Sequence, residues 1–149
     1  MGAAVPPGLS YRLVESSSDI VVESEGADLG GALVGLAQGF SHVVTAGTRI
    51  EPKKSRKVRI ETSAGLGDLA VAFVNELIFL FDTERFLPRD GSIQVRAAGE
   101  GHVAEGTLQG EAFDPKRHSF GTEVKAATLH EAVLVQEQRS ARARVLLDL

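Results

Sequence analysis

The stretch from Gly110 to Thr128 concentrates the side chains of this chain that could do chemistry. Its sequence is GEAFDPKRHSFGTEVKAAT, and nine of its residues contain two acids, two bases and a histidine: Glu111, Asp114, Lys116, Arg117 and His118. Polar loops on a rigid scaffold are where binding and catalytic groups concentrate. His118 is a candidate general acid or base. Because no catalytic signature surrounds it, we favour a structural or partner-contact role.

Two acids outside this stretch could form a metal site. Asp19 opens the second predicted strand, and Asp148 stands next to Leu149 at the end of the sequence. Calcium and magnesium prefer oxygen ligands, which carboxylates supply. If the two strands are neighbours, Asp19 and Asp148 could share an ion, with Leu149 adding a terminal carboxylate or a carbonyl oxygen. The alternative is that each is an exposed acid at a strand end, which is the commoner situation.

The familiar signatures of catalysis and nucleotide binding are missing from the sequence. There is no cysteine, which excludes disulfides, thiolate zinc sites and a cysteine nucleophile. The glycine-rich segments GADLGG and GLGD match neither the dinucleotide-binding pattern nor the P-loop, which needs a lysine at the start of its helix. No two histidines have zinc-ligand spacing with a third ligand near, and the G-x-S-x-G elbow is absent. A nucleophilic hydrolase is therefore unsupported.

Length and charge limit the class of protein. The 149 residues suit one domain, large enough to bury roughly two thirds of its unfolded surface. The net charge of −4 argues against a general nucleic-acid coat protein. One local basic run has two interpretations, a phosphate-contacting patch or a solvated lead into an edge strand where lysines discourage aggregation. We favour the second for this run, which comprises Lys53, Lys54, Arg56, Lys57 and Arg59.

The ends and the hydropathy bear on location. The start MGAAVPPGLS lacks the basic and apolar regions of a signal peptide. We expect residues 1–10 to be a flexible extension ahead of one domain at residues 11–149. No window has the length and apolarity of a membrane span. With the absence of cysteine, this leads us to expect a cytoplasmic protein that does not contact membranes.

Hydrophobic periodicity predicts two helices and seven strands. The Gly99-Glu100-Gly101 triplet marks a hairpin, and Asp28 is a plausible N-cap for the first helix. That helix carries glycines at four-residue steps, Gly31, Gly35 and Gly39, which indicates close packing of its backbone against the sheet. The order of elements predicts an α+β fold in which two helices pack on a mixed, largely antiparallel β-sheet in a single domain. The predicted strands are 11–15, 19–25, 56–62, 92–99, 102–110, 125–136 and 141–147, and the helices run from 28 to about 44 and from 66 to 82.

Three segments in the correct order resemble the archease family. Residues 75–84 read NELIFLFDTE, similar to the family's N-E-L-x-x-L-F-D-T-E. Residues 110–118 read GEAFDPKRH and are followed at 122–126 by TEVKA. The ending VLLDL, at residues 145–149, resembles the family's closing aliphatic-Asp-aliphatic pattern. The resemblance covers nearly the whole chain after Ser10.

This resemblance implies an accessory protein and not an enzyme. Archeases assist the RtcB-type RNA ligase, promoting its guanylylation and its multiple turnover in tRNA splicing or RNA repair. The family's metal-binding acids map onto Asp19 and Asp148, with Leu149 contributing at the terminus. The implied cofactor is a divalent ion of the calcium or magnesium/manganese class. The residues expected to contact the ligase are Lys116, Arg117, His118, Glu123 and Lys125. RNA is expected to be a partner only indirectly, through the ligase.

One position departs from the family pattern. Archeases usually read Glu-His-Thr-Ala-Asp ahead of the second strand, whereas this chain reads ESSSD at residues 15–19, with Ser16 at the histidine position. An imidazole that could ligate metal or contact the ligase is therefore lost. Two other functions remain as alternatives. The first is a small metal-dependent phosphoesterase that uses the same acids, which two carboxylates without a clear base support weakly. The second is a chaperone-like binding module.

Overall fold

The structure is a computed structural model that describes residues 11–149. The extension predicted at residues 1–10 lies outside the described residues. The predicted order of elements is confirmed. The strands are β1 (Tyr11–Glu15), β2 (Asp19–Gly26), β3 (Lys54–Thr62), β4 (Phe86–Ala98), β5 (Gly101–Ala112), β6 (Ala126–Gln136) and β7 (Ala141–Asp148), and the helices are α1 (Leu29–Thr45) and α2 (Leu66–Glu84).

The strands form two antiparallel sheets where the sequence predicts one. The first has the order β1-β2-β7-β6 and the second the order β3-β5-β4, and every strand pairing within residues 11–149 is antiparallel. Both helices contact strands of both sheets. The α+β class is confirmed, but the division into two sheets could not be read from the order of elements, because strand partners are chosen by long-range packing.

Helix α1 begins and ends with ordinary caps. The Asp28 side chain accepts a hydrogen bond from the Gly31 N–H at 2.7 Å, which confirms the predicted N-cap. At the other end Ala46 adopts a left-handed conformation with φ 53°, and its N–H donates to the His42 carbonyl. Thirteen of the seventeen helical residues are buried, so α1 is surrounded by the sheets and by α2 on most of its circumference.

Close approach explains the glycines of α1 where their surroundings are crowded. A Cβ at Gly30 would stand 1.7 Å from the Ile93 carbonyl oxygen of β4, and a Cβ at Gly39 would stand 2.4 Å from the Val22 side chain of β2. The helix backbone therefore lies directly against strands of both sheets. Gly39 belongs to the predicted series of four-residue steps, whereas Gly30 does not.

The Asn75 side chain bonds helix α2 to β6 of the first sheet. Asn75 accepts a hydrogen bond from the Ala127 N–H at 2.9 Å and donates to the Ala127 carbonyl at 3.5 Å. The helix runs two residues beyond the predicted end at Asp82 and terminates at Arg85, whose φ of 57° is left-handed. No helix in the described part of the chain is long and apolar enough to span a membrane.

The observed positions of β4 and β3 can be compared with those predicted from the sequence. β4 begins six residues before the predicted position 92, because Phe86, Leu87 and Pro88 are buried and pair with β5 across an irregularity between Pro88 and Asp90. β3 lies at the edge of its sheet, as we expected, but it contains four of the five residues of the basic run, so the run does not simply lead into the strand. Its apolar Val58 and Ile60 are buried while Lys57 and Arg59 are exposed.

Replacing Gly30 with alanine should destabilise the protein by roughly 3 kcal/mol, since the new methyl group meets strand backbone that cannot rotate away. Urea unfolding followed by circular dichroism measures this. Gly65→Ala is the matched control, because a Cβ there meets only the Asp68 carboxylate, at 3.9 Å. Equal stabilities for the two variants would contradict the close helix–strand approach.

Candidate functional site

The strand register brings the two predicted metal-binding acids face to face. β2 pairs with β7 in antiparallel register, and Asp19 is the direct partner of Asp148. Directly opposed residues in such a pair have Cβ atoms about 5 Å apart with side chains on the same face. The condition set by the sequence, that the two acids lie on neighbouring strands, is therefore met. We call Asp19 and Asp148 the acid pair.

A tight serine turn leads into the acid pair. β1 and β2 form a hairpin in which Glu15 pairs with Ile20, and the Ser16 N–H donates to the Asp19 carbonyl at 3.0 Å. The Ser16 hydroxyl also donates to the Asp19 carboxylate. The residue that departs from the archease pattern thus contacts the acid it precedes, and occupies one acceptor position of that carboxylate.

The backbone of β6 completes the surroundings of Asp148. The Asp148 carbonyl accepts a hydrogen bond from the Lys125 N–H at 2.9 Å, and Ala126 is its cross-strand partner on that side. Leu149 is partly buried and packs against the core, which holds its main chain next to the pair. Within residues 11–149 no group of three or more His, Cys, Asp or Glu side chains is arranged to hold a metal ion. Any ion at this point would depend on two carboxylates and main-chain or hydroxyl oxygens.

The charged loop after β5 is organised around a buried carboxylate. Glu111 is 4% exposed, and it accepts hydrogen bonds from the Glu51 N–H at 2.6 Å, from His118 Nε2 at 3.0 Å and from the Arg117 guanidinium. His118 is also buried, and its Nδ1 accepts from the Asp114 N–H at 2.8 Å. Because Nδ1 accepts, the ring proton lies on Nε2 and points at Glu111.

This arrangement favours the ionised form of Glu111. Burial alone would raise the pKa of Glu111, but the hydrogen bonds from the Glu51 N–H and from His118, with the charge of Arg117, outweigh burial and lower that pKa below its usual value. The charge is therefore kept inside the protein by fixed donors. A buried charge with its full set of partners fixes the loop and is not free to exchange protons with a substrate.

The five residues predicted to contact a partner are placed differently by the structure. Lys116, Glu123 and Lys125 are exposed. Arg117 is partly committed, since its guanidinium bonds to Glu111 while its side chain stays 40% exposed. His118 has its side chain enclosed, so in this conformation it supports the loop and offers no surface to a partner. Its burial has no signal in the sequence, where it stands among charged residues.

One feature of the site was not predicted. A groove of about 490 Å³ lies between the ends of α1 and α2 and the segment 113–124. Asp82 and Glu123, from two of the three archease-like segments, both line it. The sequence signal for this groove is Asp82, which follows Leu80 and Phe81. Hydrophobic periodicity assigns no role to Asp82, because it lies just beyond the apolar stripe of α2.

Comparison with known proteins identifies what the chain is similar to. The sequence profile of the Archease protein family (MTH1598/TM1083) matches residues 11–149. Protein archease of Pyrobaculum calidifontis is 34% identical over 123 residues, covering 81% of this chain and 82% of that protein. Protein archease of Archaeoglobus fulgidus is 31% identical over 144 residues, covering 95% of this chain and 100% of that protein.

A solved structure agrees in fold. The solution structure of Methanobacterium thermoautotrophicum Protein 1598 superposes with a TM-score of 0.66 at 24% sequence identity. The match covers 94% of this chain and 99% of that one. At this level of identity the likeness concerns the arrangement of helices and sheets.

The buried carboxylate makes stability depend on pH. A carboxyl whose folded-state pKa is lowered contributes stability above its unfolded pKa, about pH 4, and loses it as the pH falls through the folded value. Glu111→Gln should therefore cost about 2 kcal/mol at pH 7, and the difference from the wild type should shrink below pH 4. Urea unfolding at pH 7 and pH 3.5 measures both. A difference that stays constant between the two pH values would rule out a charged Glu111 as the source.

Proposed function

The chain belongs to the archease family, and from this premise we propose that it is an accessory protein that activates an RtcB-type RNA ligase. In this role it promotes guanylylation of the ligase and its multiple turnover, in tRNA splicing or RNA repair, and it performs no catalysis itself. The observation that carries the proposal is the direct opposition of Asp19 and Asp148 in the β2–β7 register. These are the acids to which the resemblance assigns the family's metal site.

The donor set around the acid pair suits a hard divalent ion of the calcium or magnesium/manganese class. Asp19 and Asp148 offer carboxylate oxygens on one face, and Leu149 adds a main-chain oxygen beside them. Such ions accept carboxylate, carbonyl and water oxygens together. A bound ion would neutralise negative charge at a phosphate group of the ligase reaction. Within the chain, the two strands hold the carboxylates at a fixed separation, and the turn at Ser16 orients the first of them.

Exposed charges on the segment that leads to the acid pair would orient the ligase. Lys125 lies beside the acid pair, because its N–H donates a hydrogen bond to the Asp148 carbonyl. Its side chain is exposed. Glu123 lies two residues earlier and Lys116 in the loop before it, both exposed. Arg117 can contribute its exposed fraction, whereas the enclosed His118 contributes by holding the loop in shape. Charges at the rim of an interface mainly set orientation and association rate.

Asp148→Asn should abolish stimulation of the cognate ligase and leave the fold intact, because it removes one of two carboxylates from an exposed strand end. The measurement is single-turnover guanylylation of the ligase with and without each variant. Asp68→Asn, in the first turn of α2, is the matched control and should stimulate like the wild type. Undiminished stimulation by Asp148→Asn would refute the role of the pair. Sustained hydrolysis of a phosphoester by the pure protein would refute the accessory role.

Ser16→His should restore a nitrogen donor beside the pair. Imidazole is a good ligand for zinc, whereas calcium takes oxygen ligands. We therefore expect Zn²⁺ to bind about tenfold more tightly to the variant, with calcium affinity little changed. Titration calorimetry with each ion measures this, and Ser18→His, in the same exposed turn, is the control. Equal Zn²⁺ affinity in the wild type and both variants would place the ion elsewhere.

A further inference from the structure

The groove between the two helix ends is lined mostly by aromatic and aliphatic side chains. We call it the aromatic groove and define it by Phe40 and Val44 of α1, by Ile78 and Phe81 of α2, and by Phe113, Phe120 and Val124 of the covering segment. Its volume of about 490 Å³ lies within the range of ordinary binding pockets. None of these side chains belongs to the acid pair.

The aromatic rings are stacked edge to face toward the solvent. Phe81 and Phe113 have centroids 6.2 Å apart at 79°, and Phe113 and Phe120 have centroids 6.2 Å apart at 88°. Phe120 ends this series with 56% of its surface exposed. An exposed phenylalanine that lines an apolar groove costs solvation free energy in the free protein, which association can recover.

The groove is preformed, because its covering segment is bonded to both helix ends. The Gly121 N–H donates to the Val44 carbonyl at 2.6 Å, and the Thr122 N–H donates to the Val43 carbonyl at 3.2 Å. At the other end the Phe113 N–H donates to the Arg85 carbonyl at 2.8 Å. A preformed groove avoids part of the entropy cost of ordering a loop on binding.

The rim of the groove carries unbalanced negative charge. Asp82 and Glu123 line the groove, and neither forms a salt bridge with any residue of the described chain. Among the described residues Arg85 is the one cation on the lining, and its guanidinium lies 4.9 Å from the centroid of Phe81. The α1 and α2 C-termini at this end add partial negative charge. A cation is therefore favoured here, and the ring of Phe81 already accepts one.

We propose that the aromatic groove binds a segment of a partner protein in which an apolar side chain is followed by a basic one. The apolar side chain enters between Phe113 and Phe120, and the basic side chain pairs with Asp82 and Glu123. This assigns a role to Asp82, an acid of the archease-like segment 75–84 that takes no part in the metal site. That the partner protein is the RNA ligase rests on the proposed function.

Charge separates this occupant from others. The phosphates of RNA would meet two unpaired carboxylates, so a nucleic acid does not fit. A second copy of the chain would present the same acidic rim, on a protein of net charge −4. A peptide segment with one apolar and one basic side chain complements both the apolar lining and the acids. An interface likewise has an apolar core and a charged rim.

The groove is tested with peptides, without the ligase. The probes are acetyl-Ala-Phe-Arg-Ala-amide, its Phe→Ala form and its Arg→Glu form, titrated into the ¹⁵N-labelled full chain and followed by amide chemical shifts. We expect shifts at Asp82, Phe113 and Glu123, with about tenfold weaker binding for each altered peptide. Equal binding of the three probes, shifts confined to other surfaces or no shifts would overturn the proposal. Shifts that grow with protein concentration alone would reveal a second copy as the occupant and would overturn it too.

Variants separate the groove from general surface effects. Phe120→Ala and Asp82→Lys alter exposed side chains and should each weaken binding of the unaltered peptide about tenfold. Their controls are Leu129→Ala, an apolar residue 59% exposed outside the groove, and Glu100→Lys in the β4–β5 hairpin, both expected to bind like the wild type. Equal losses in variants and controls would contradict the assignment.

The ligase assay distinguishes this proposal from the proposed function. If the ligase is the partner, Phe120→Ala should raise the concentration needed for half-maximal stimulation about tenfold and leave the maximal stimulation unchanged. Loss of maximal stimulation with unchanged half-maximal concentration would overturn docking in the groove. If the wild type binds the peptide but does not stimulate the ligase, the proposed function fails while the chemistry of the groove stands.

Discussion

The register between β2 and β7 fixes both a set of core contacts and the geometry of the acid pair. Ile20 pairs with Leu147 and Val22 with Val145, and all four side chains are buried. Side chains alternate between the faces of a strand, so a shift of one residue would move this whole set out of the core. The same apolar contacts that keep the register therefore keep Asp19 opposite Asp148 on the other face. The geometry of the acid pair is maintained by the hydrophobic core.

A second fixed point lies inside the loop that follows β5. A buried carboxylate with three kinds of donor joins this loop to the chain near Glu51 and gives it one conformation. Removing one of these donors would leave the buried charge incompletely paired, which costs more than an exposed ion pair contributes. The charges that make the stretch from Gly110 conspicuous in the sequence thus divide into two sets. Glu111 and His118 shape the loop, and Lys116, Glu123 and Lys125 face outward.

Sequence patterns predict what is local and fail where packing decides. Apolar periodicity locates both helices and all the strands, and Asp28 is recognisable as a cap because capping needs only a few neighbouring residues. The division into two sheets and the early start of β4 at Phe86 depend on pairing with distant β5. The burial of His118 and the aromatic groove depend on α1, α2 and the covering segment meeting in space. The acid pair stands between these cases, since its residues were chosen from the sequence but only the register could join them.

The segment from Thr122 to Lys125 connects the aromatic groove to the acid pair. Glu123 and Val124 line the aromatic groove, while the Lys125 N–H bonds to the Asp148 carbonyl at 2.9 Å. A partner held by the groove would therefore lie within a few residues of the acid pair. The proposed accessory role is compatible with this arrangement, because the groove would hold the ligase while the acid pair meets its reacting groups. Affinity and activation can then be altered separately by substitution even though one stretch of backbone supports both.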